Sequence, residues 1–523
     1  MPKSKSHASA LALTPVDRIV LYLTVSLTGA SVMVLELLGT RLIGPFYGVS
    51  LYVWSSLISV TMIALAFGYW LGGRIADRMP RIRLSYLIAL AALTTVIIPA
   101  LTRPVLLLTD PMGLRAGAFF SAFLLFTLPL TLLAMTGPYV IKLAARQLAN
   151  VGALSGSVYA VSTVGSVIGT IALGFYLLPV TGSRAVLYGL SVLLGMLALM
   201  LALYERRGTG QQFTIMSMAL IFFACLGGAA FAYENNRTQP WGKGLTLLYE
   251  SESVYGWVRV IDDETQKVRF MMSDASTISA ADIDNVRQGL LTYQWVTQRL
   301  PLFRPAAKNA LLIGLGGGHI ADGLEKQGVK TDAIEIDPAV AEAALRFFDY
   351  RPSGDLIVGD ARYEIRQLTK TYDLIIHDCF TGGSEPAHLM SIETLLELKA
   401  HLNPGGILAI NFVGFTDSKR QRPAQLVYRT LGDAFAERRV YISEPGSEFN
   451  DFIFMASDEP IAIHVGQGNP KMLELLSQRR YAMAEGDLVV TDDFNPLENL
   501  QVSKAEAYRK VLLERVGMDV LLR

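Results

Sequence analysis

Hydrophobic residues are distributed unevenly along the chain. Long apolar runs fill roughly the first 235 residues, and shorter runs alternate with polar stretches after that. Each long run is close to the roughly 20 residues that a helix needs to cross a bilayer, so the pattern predicts seven membrane spans. They cover about residues 19–42, 51–73, 84–102, 116–135, 155–178, 185–204 and 213–233.

The period of the pattern changes after a polar linker. Residues 245–274 alternate as strands joined by a turn, and a helical stretch is predicted over 284–300. From residue 310 onward, apolar runs of strand length alternate with helical segments, which predicts a mostly parallel sheet with helices on both faces. The fold class is therefore a multi-helix transmembrane domain followed by an α/β Rossmann-like domain with a small N-terminal β-region. The predicted boundaries are 1–17 for a cytoplasmic tail, 18–234 for the transmembrane helices, 235–244 for a linker, 245–305 for a small β/helical subdomain and 306–523 for the nucleotide-binding domain.

Composition narrows the functional classes. The 523 residues carry a net charge of zero, so nothing in the charge balance points to nucleic acid. There are only two cysteines, Cys225 and Cys379, which excludes a disulfide framework. No cluster of Cys and His has metal-ligand spacing, so no metal is expected. The predicted partners are a small-molecule substrate and the lipid bilayer.

A glycine-rich turn organises the second half. The apolar run 310–313 stops at a group of glycines, a polar-faced segment follows, and a second apolar run leads to Glu335. This order reads as strand, turn, helix and strand of a nucleotide-binding unit, with the acidic residue placed to hold ribose hydroxyls. An ordinary tight turn would explain the glycines alone, and Glu335 is what favours a ligand. The glycines are Gly314, Gly316, Gly317 and Gly318, followed by His319.

The spacing of the glycines indicates the ligand, and the acidic residues at the ends of the later strands indicate the groups that contact it or react. The turn lacks the third helical glycine of the dinucleotide fingerprint, which favours S-adenosylmethionine or a relative over NAD. Asp360 ends a third strand and can meet the adenine amino group, with Ala361 beside it. Asp378 ends a fourth strand, where chemistry sits in open α/β sheets, although an aspartate there can also simply cap a turn.

Several motifs together resemble the spermidine synthase family over about residues 245–460, and the whole chain resembles its bacterial membrane-fused relatives. The motifs are SVYGWVRV (253–260), TYQWVTQRLPL (292–302), the glycine loop, and the acidic residues at 335, 360 and 378. The resemblance implies that Asp378 is the catalytic aspartate and that Tyr293 and Gln294 line the substrate pocket, with Tyr293 assigned to catalysis and Gln294 to substrate binding. It also implies aminopropyl transfer from decarboxylated S-adenosylmethionine with release of methylthioadenosine. Soluble members of the family form dimers or tetramers, so a homodimer is one expected state.

Two departures from the family pattern change the expected substrate. The aspartate that follows the family's glycines is His319 here, and the family's D-S-S-D loop reads Asp378-Cys379-Phe380-Thr381. Because a cationic diamine needs opposite charge to offset its desolvation, the loss of two carboxylates argues against a polyamine. A histidine could instead accept the carboxylate of intact S-adenosylmethionine, and Thr381 would contact the substrate. Glu385 and His388 could partly replace the lost groups or merely cap the next helix.

Three functional hypotheses remain open. The first is an enzyme that cleaves the sulfonium nucleoside at its aminopropyl-side carbon, either by transfer to an amine or by cyclisation of the chain onto its own amino group. The second is a methyltransferase, and the third is a membrane transporter or sensor gated by the nucleoside.

The predicted membrane topology leaves the side of the second domain open. Basic loop residues place the N-terminus in the cytoplasm, and seven spans would then leave the second domain outside. A nucleoside cosubstrate is made in the cytosol, which favours a cytoplasmic catalytic domain in a bacterial inner membrane. The conflict requires either a hidden crossing around 104–150 or a domain that faces out.

Overall fold

The computed structural model describes residues 14–48, 51–79, 82–145, 151–206, 212–238, 244–380, 383–464, 469–517 and 520. The chain divides into two compact units, with the boundary between residues 239 and 240. Gly44–Leu51 groups with the second unit. The domain limits predicted from the sequence stay predictions.

The described part of the first unit is helical. A 3-10 turn, Asp110–Met112, separates the third and fourth helices, and a π-helical segment, Ala172–Leu177, follows the sixth. The helices are α1 (Pro15–Tyr47), α2 (Leu51–Arg78), α3 (Leu84–Thr109), α4 (Gly113–Ala134), α5 (Thr136–Ala144), α6 (Val151–Ile171), α7 (Leu178–Thr181), α8 (Ser183–Arg206) and α9 (Gln212–Thr238).

Five helical stretches among the described residues are long and apolar enough to cross a membrane, two fewer than the seven predicted runs. The predicted runs 84–102 and 116–135 fall within one of them, Leu84–Ala144. The run 213–233 lies in α9, whose described apolar part, Met216–Ala230, is shorter than the five. Length and apolar composition are what this finding establishes.

The second unit begins with an antiparallel sheet of five strands in the order β1-β2-β3-β4-β5. The helix predicted over 284–300 is wrong in its first part, because β5 pairs there with β4 and only α10 (Gln294–Thr297) is α-helical. Pairing with a neighbouring strand overrides the local helical pattern. The strands are β1 (Leu245–Glu252), β2 (Trp257–Asp263), β3 (Val268–Ser273), β4 (Ser276–Asp282) and β5 (Asn285–Gly289).

The rest of the second unit is built on a mixed sheet of seven strands. Its order is β11-β12-β10-β9-β6-β7-β8, in which β6 to β10 are parallel and β12 is antiparallel to both of its neighbours. The strands are β6 (Asn309–Ile313), β7 (Lys330–Glu335), β8 (Leu356–Val358), β9 (Tyr372–His377), β10 (Leu402–Phe415), β11 (Glu437–Ile442) and β12 (Phe449–Ser457). The predicted alternation of strands and helices is confirmed over this region, and so is the Rossmann-like class.

Helices cover the sheet and enclose its apolar strands. Leu311, Ile375 and Leu408 at its centre are fully buried, as expected for strands covered on both faces. The helices are α11 (His319–Glu325), α12 (Pro338–Phe347), α13 (Ala361–Gln367), α14 (Ile392–Ala400), α15 (Arg422–Ala434), α16 (Pro470–Gln478), α17 (Leu497–Leu500) and α18 (Val502–Val516). The last of these, α18, packs on the five-stranded sheet through Leu512, beside Ile261 and Met272.

The chain order reverses between β6 and β9, which lie side by side in the sheet. In open α/β sheets this switch point forms a crevice at the carboxyl ends of the strands, where ligands bind. The glycine loop follows β6 and Asp378 follows β9, so the fold places both at that crevice.

Candidate active site

A cavity of about 610 Å³ opens at the carboxyl ends of the parallel strands. Its wall is formed by the strand ends, the glycine loop, β3 and β4 of the smaller sheet, and one face of α18. A volume in this range suits a small-molecule ligand rather than a macromolecule.

Glu335 lines the cavity at the end of β7 and is held in a fixed orientation. Its Oε2 atom accepts the backbone N–H of Leu315 at 3.0 Å, and its Oε1 atom accepts that of Asp337 at 3.0 Å. Burial raises the pKa of the carboxyl group. Each oxygen retains a second lone pair, so this carboxylate can accept hydrogen bonds from two neighbouring ribose hydroxyls.

The first glycine of the loop is required by its surroundings. Gly314 has a φ of +89°, and a Cβ atom there would lie 2.3 Å from the backbone oxygen of Asp378. Gly316 also lines the cavity, so the ligand side of the loop presents backbone alone. Gly317 and Gly318 do not line the cavity and instead approach the side chains of Ser279 and Tyr350, respectively.

Asp360 and Ala361 line the cavity at the end of β8, next to Glu335. The Oδ1 atom of Asp360 caps α13 by accepting the N–H of Tyr363 at 3.0 Å. The carboxyl group is exposed on its other side, where it can accept a hydrogen bond from an amino group. This edge of the cavity fits an adenosine, with a ribose at β7 and a base at β8.

Asp378 lies at the centre of the cavity and is bonded on both oxygens. The Tyr293 hydroxyl donates to Oδ2 at 2.8 Å, and the amide of Asn411 donates to Oδ1 at 2.9 Å. Loss of hydration raises the pKa of Asp378 to about 6, against the two hydrogen bonds, which lower it. The result is a positioned carboxylate whose proton affinity is set near neutral pH.

Asn411 is a site residue that the sequence analysis does not predict. It is 6% exposed, it lines the cavity from β10, and its Oδ1 atom has no hydrogen-bond partner among the described residues. Because its amide nitrogen is committed to Asp378, the oxygen is left to accept a hydrogen bond from a ligand. A polar residue inside the apolar run 406–413 was the available signal.

A second carboxylate, Asp451, was also missed. It lines the cavity from β12 opposite Val413, and the Ser443 hydroxyl donates to its Oδ2 atom at 3.0 Å. Loss of hydration raises its pKa to about 7, with a further contribution from the charge of Asp378. Only the antiparallel return of β12 brings this residue to the crevice, so its position in the sequence gave no signal.

Glu385 does not replace the carboxylate missing from the loop. It is 3% exposed and forms an ion pair with Lys504, which is 2% exposed. Its other oxygen accepts the N–H of Val413 at 2.7 Å. The charge is therefore neutralised inside the protein, whereas His388 does line the cavity.

The side chain of His319 is placed differently from the expectation. Its Nε2 atom donates to the carbonyl oxygen of Val286 at 3.0 Å, and its Nδ1 atom lies 3.1 Å from the Ser279 hydroxyl. Burial lowers the pKa of the ring, which keeps it neutral. His319 is not among the residues that line the cavity, so the idea that it accepts a cosubstrate carboxylate is not supported.

The remaining residues predicted at the site are Gln294 and Thr381, and Cys379 lies beside Asp378. Gln294 is 5% exposed and is not among the residues that line the cavity, whereas Tyr293 is. Thr381 lies outside the described residues. Cys379 lines the cavity, but burial and neighbouring carboxylates raise the pKa of its thiol well above the usual value, so it is protonated.

Comparison with curated proteins finds similarity to aminopropyltransferases. A polyamine aminopropyltransferase of Vibrio vulnificus is 30% identical over 200 residues, which are 36% of this chain and 66% of the relative. A probable polyamine aminopropyl transferase of Bifidobacterium longum is 26% identical over 317 residues, 53% of this chain and 69% of the relative. The chain is spermidine synthase-like. No family model matches it.

The spermidine synthase-like chain is also similar to a methyltransferase. An N-terminal histidine N-methyltransferase of Emericella nidulans is 29% identical over 252 residues, 41% of this chain and 42% of the relative. The chain thus spans less than half of that relative and 66% of the Vibrio one. Among solved structures, a probable spermidine synthase from Corynebacterium glutamicum matches with a TM-score of 0.38 at 17% identity, over 50% of this chain and 93% of that one.

Proposed function

We propose that the chain transfers an aminopropyl group from decarboxylated S-adenosylmethionine to an amine and releases 5′-methylthioadenosine. The observation that carries the proposal is Asp378, a carboxylate held by Tyr293 and Asn411 beside an unpaired amide oxygen. The two aminopropyltransferase relatives support the same reaction class.

The reaction needs little from the protein except placement of the two substrates. The amine nitrogen forms a bond to the carbon next to the sulfonium, and the carbon–sulfur bond breaks. Its electron pair stays on sulfur, which leaves as an uncharged thioether. Asp378 takes the proton that the nitrogen loses, while the Asn411 oxygen accepts a second N–H and aims the lone pair.

The charge of the cavity favours a cationic acceptor and the decarboxylated cosubstrate. Arg515 and His388 are the basic residues among the described lining residues, and the acidic ones outnumber them. A carboxylate on the cosubstrate would be repelled near Asp378 and Asp451, whereas ammonium groups would be attracted. The acidic lining residues are Glu335, Asp337, Asp360, Asp378, Glu444 and Asp451.

Asp451 also changes the argument drawn from the family motif. The missing loop carboxylate suggested that a polyamine would not bind, and that the cosubstrate would cyclise on itself. With Asp451 on β12 also lining the cavity, a second negative group is present to offset the desolvation of an ammonium group. Transfer to an external amine is therefore the form of the reaction that we propose.

Methyl transfer is the second candidate, because one relative is named as an N-methyltransferase. The two reactions differ in the carbon that leaves sulfur. Methyl transfer would consume intact S-adenosylmethionine and leave S-adenosylhomocysteine, so the nucleoside product separates the candidates.

The test uses the full chain purified in detergent. It is incubated with decarboxylated S-adenosylmethionine and putrescine, or with S-adenosylmethionine alone, and the nucleoside products are identified by mass spectrometry. We expect methylthioadenosine from the first mixture only. The same product from the second mixture would establish cyclisation instead, and S-adenosylhomocysteine formed with an added amine would establish methyl transfer.

A pair of variants assigns the reaction to the cavity. Asp378→Asn is expected to lower kcat by about 100-fold or more, since the general base is lost while the shape is kept. Asp433→Asn is the matched control, because Asp433 is exposed on α15 and pairs with Arg429. Absence of any nucleoside product from the unmodified chain would favour the binding or transport hypothesis.

We also propose that the five apolar stretches insert into the membrane and that the catalytic unit faces the cytoplasm as part of a homodimer. The length of the helices supports insertion. The cytosolic origin of the cosubstrate supports the orientation.

A further inference from the structure

The cavity extends well beyond the groups needed for the reaction. It continues between α18 and the strands β3 and β4 of the smaller sheet, away from Asp378. We define this part as the α18 channel, bounded by Val268 and Phe270 on β3 and by Val511 and Val516 on α18.

One face of α18 forms a wall of this channel over two helical turns. Tyr508, Val511, Leu512, Arg515 and Val516 all line the cavity, and their spacing is that of a single helical face. From Tyr508 to Arg515 the helix rises about 10 Å.

The near end of the channel lies beside the reacting groups. The ring of Tyr508 packs against that of Phe380 with centroids 4.8 Å apart, and Phe380 follows Asp378 by two residues. The far end lies at the β2–β3 turn, where Gln266 donates to the backbone oxygen of Arg515 at 3.4 Å. The middle is apolar.

The ends of the channel carry opposite charge. Asp378 and Asp451 lie at the reaction centre, and Arg515 lines the far end. The guanidinium of Arg515 has no ion-pair partner among the described residues. An elongated molecule with a cationic head, an apolar body and an anionic tail would match this order of groups.

We propose that the α18 channel binds the acceptor, and that the acceptor is an amine with an extended apolar body and a terminal anionic group. The inference rests on the proposed function for its reactive end. The amine meets Asp378 and Asn411, the body lies between β3 and α18, and the terminal anion meets Arg515. Recognition of this kind selects acceptors by length as well as by charge.

Binding and turnover are compared for 4-aminobutyrate, 8-aminooctanoate and octane-1,8-diamine. Calorimetry of the full chain in detergent, with methylthioadenosine present, measures affinity without requiring turnover. We expect affinity to rise about fourfold for each added methylene until the channel is filled. We also expect 8-aminooctanoate to bind about threefold or more tightly than the diamine, a modest ratio because Arg515 is exposed.

Two pairs of variants test whether the dependence of affinity on chain length and on tail charge arises in the α18 channel. Val511→Trp fills the channel and should lower the affinity ratio of the eight-carbon to the four-carbon amino acid by about tenfold or more. Lys510→Trp, on the exposed side of the same helix, should leave the ratio unchanged. Arg515→Glu should reverse the preference for the carboxylate tail over the amine tail, whereas Glu514→Gln should not.

The proposal that the α18 channel binds the acceptor would be overturned by an affinity that does not depend on chain length. Equal effects of Val511→Trp and Lys510→Trp on the affinity ratio would also overturn it. Turnover of putrescine without such length dependence would leave the proposed reaction intact and remove only this inference. Length-dependent binding without methylthioadenosine release would instead keep the channel and remove the proposed reaction.

Discussion

At the scale of single residues, burial raises the pKa of two cavity carboxyl groups, Asp378 and Asp451. Their pKa values are raised to about 6 and about 7, first by loss of hydration. Because each folded pKa lies above the ordinary value of 3.8, the folded chain holds these protons more tightly, and the stability they contribute at low pH is lost progressively as the pH rises from about 4 to between 6 and 7. Activity has the opposite sign, since only the charged forms accept a proton or hold an ammonium group.

The value of kcat/KM for the cosubstrate, measured at saturating acceptor, should therefore rise as the pH increases from about 6 to about 7. Asp451→Asn removes the upper ionisation, so the midpoint of the acidic limb should fall toward 6 and the KM for the acceptor should rise. Rate profiles of the two proteins from pH 5 to about 9 measure both effects. Asp433→Asn is the control. If Asp451→Asn leaves the midpoint of the acidic limb unchanged, Asp451 does not take part in the reaction.

The residues that could be predicted are those that follow a parallel strand. Glu335, Asp360 and Asp378 each end an apolar run, so the crevice at the carboxyl ends collects them. Asp451 could not be predicted, because it lies near the start of an antiparallel strand, β12. The orientation of His319 could not be predicted either, since its partners lie on the smaller sheet at Ser279 and in the backbone of Val286.

At the scale of elements, the glycine loop and α18 hold the cavity in shape. The loop passes so close to the backbone of Asp378, just after β9, that Gly314 has no room for a side chain. The helix is fixed at its first turn by the buried pair of Lys504 and Glu385. Neither contact joins residues that are close in sequence.

Gly314→Ala should destabilise the protein by at least about 2 kcal/mol and abolish most activity, because strain at positive φ is added to a clash with backbone. Gly328→Ala is the matched control, since Gly328 has a φ of +83° with nothing within 4 Å of the added Cβ. Thermal unfolding and the rate of methylthioadenosine release provide the measurements. Equal losses in the two variants would show that the close approach to Asp378 contributes nothing.

Lys504→Met should destabilise the chain by about 3–5 kcal/mol, because Glu385 would be left buried and without its counter-charge. Glu385→Gln combined with Lys504→Met removes both charges and should recover much of that loss. Denaturant unfolding of the unmodified chain, Lys504→Met, Glu385→Gln and the double variant measures the coupling free energy of the two charges. A double variant as unstable as Lys504→Met would mean that packing of the lysine stem, and not its charge, holds α18.

Local patterns predicted the large elements well and the short ones less well. The strands and helices from 309 to 457 alternate as predicted because each apolar run is buried by the same sheet. The local pattern predicts a helix at 285–289, whereas pairing with β4 makes this segment a strand. Such an edge strand is decided by a neighbour that the local sequence does not encode.

At the scale of the whole molecule, the proposed membrane insertion allows the second unit to lie on either side, depending on the number of crossings. The described residues include five stretches suited to crossing, but one of them, Leu84–Ala144, contains two helices of spanning length, α3 and α4, joined by a 3-10 turn. The shorter apolar part of α9 adds a further possible crossing. Because each added crossing would move the second unit to the other side, an even and an odd number of crossings predict opposite locations for it.

Sealed vesicles can decide the orientation, because decarboxylated S-adenosylmethionine is charged and does not cross a bilayer unaided. With the chain retained in membranes after a carbonate wash, vesicles that expose the cytoplasmic face should form methylthioadenosine without detergent. Vesicles of the opposite orientation should do so only after detergent opens them, and the total activity in detergent serves as the control for each. The reverse pattern would place the catalytic unit outside, as an odd number of crossings with a cytoplasmic N-terminus requires. Release of the chain by carbonate would instead mean that the apolar helices pack against protein and do not span the membrane.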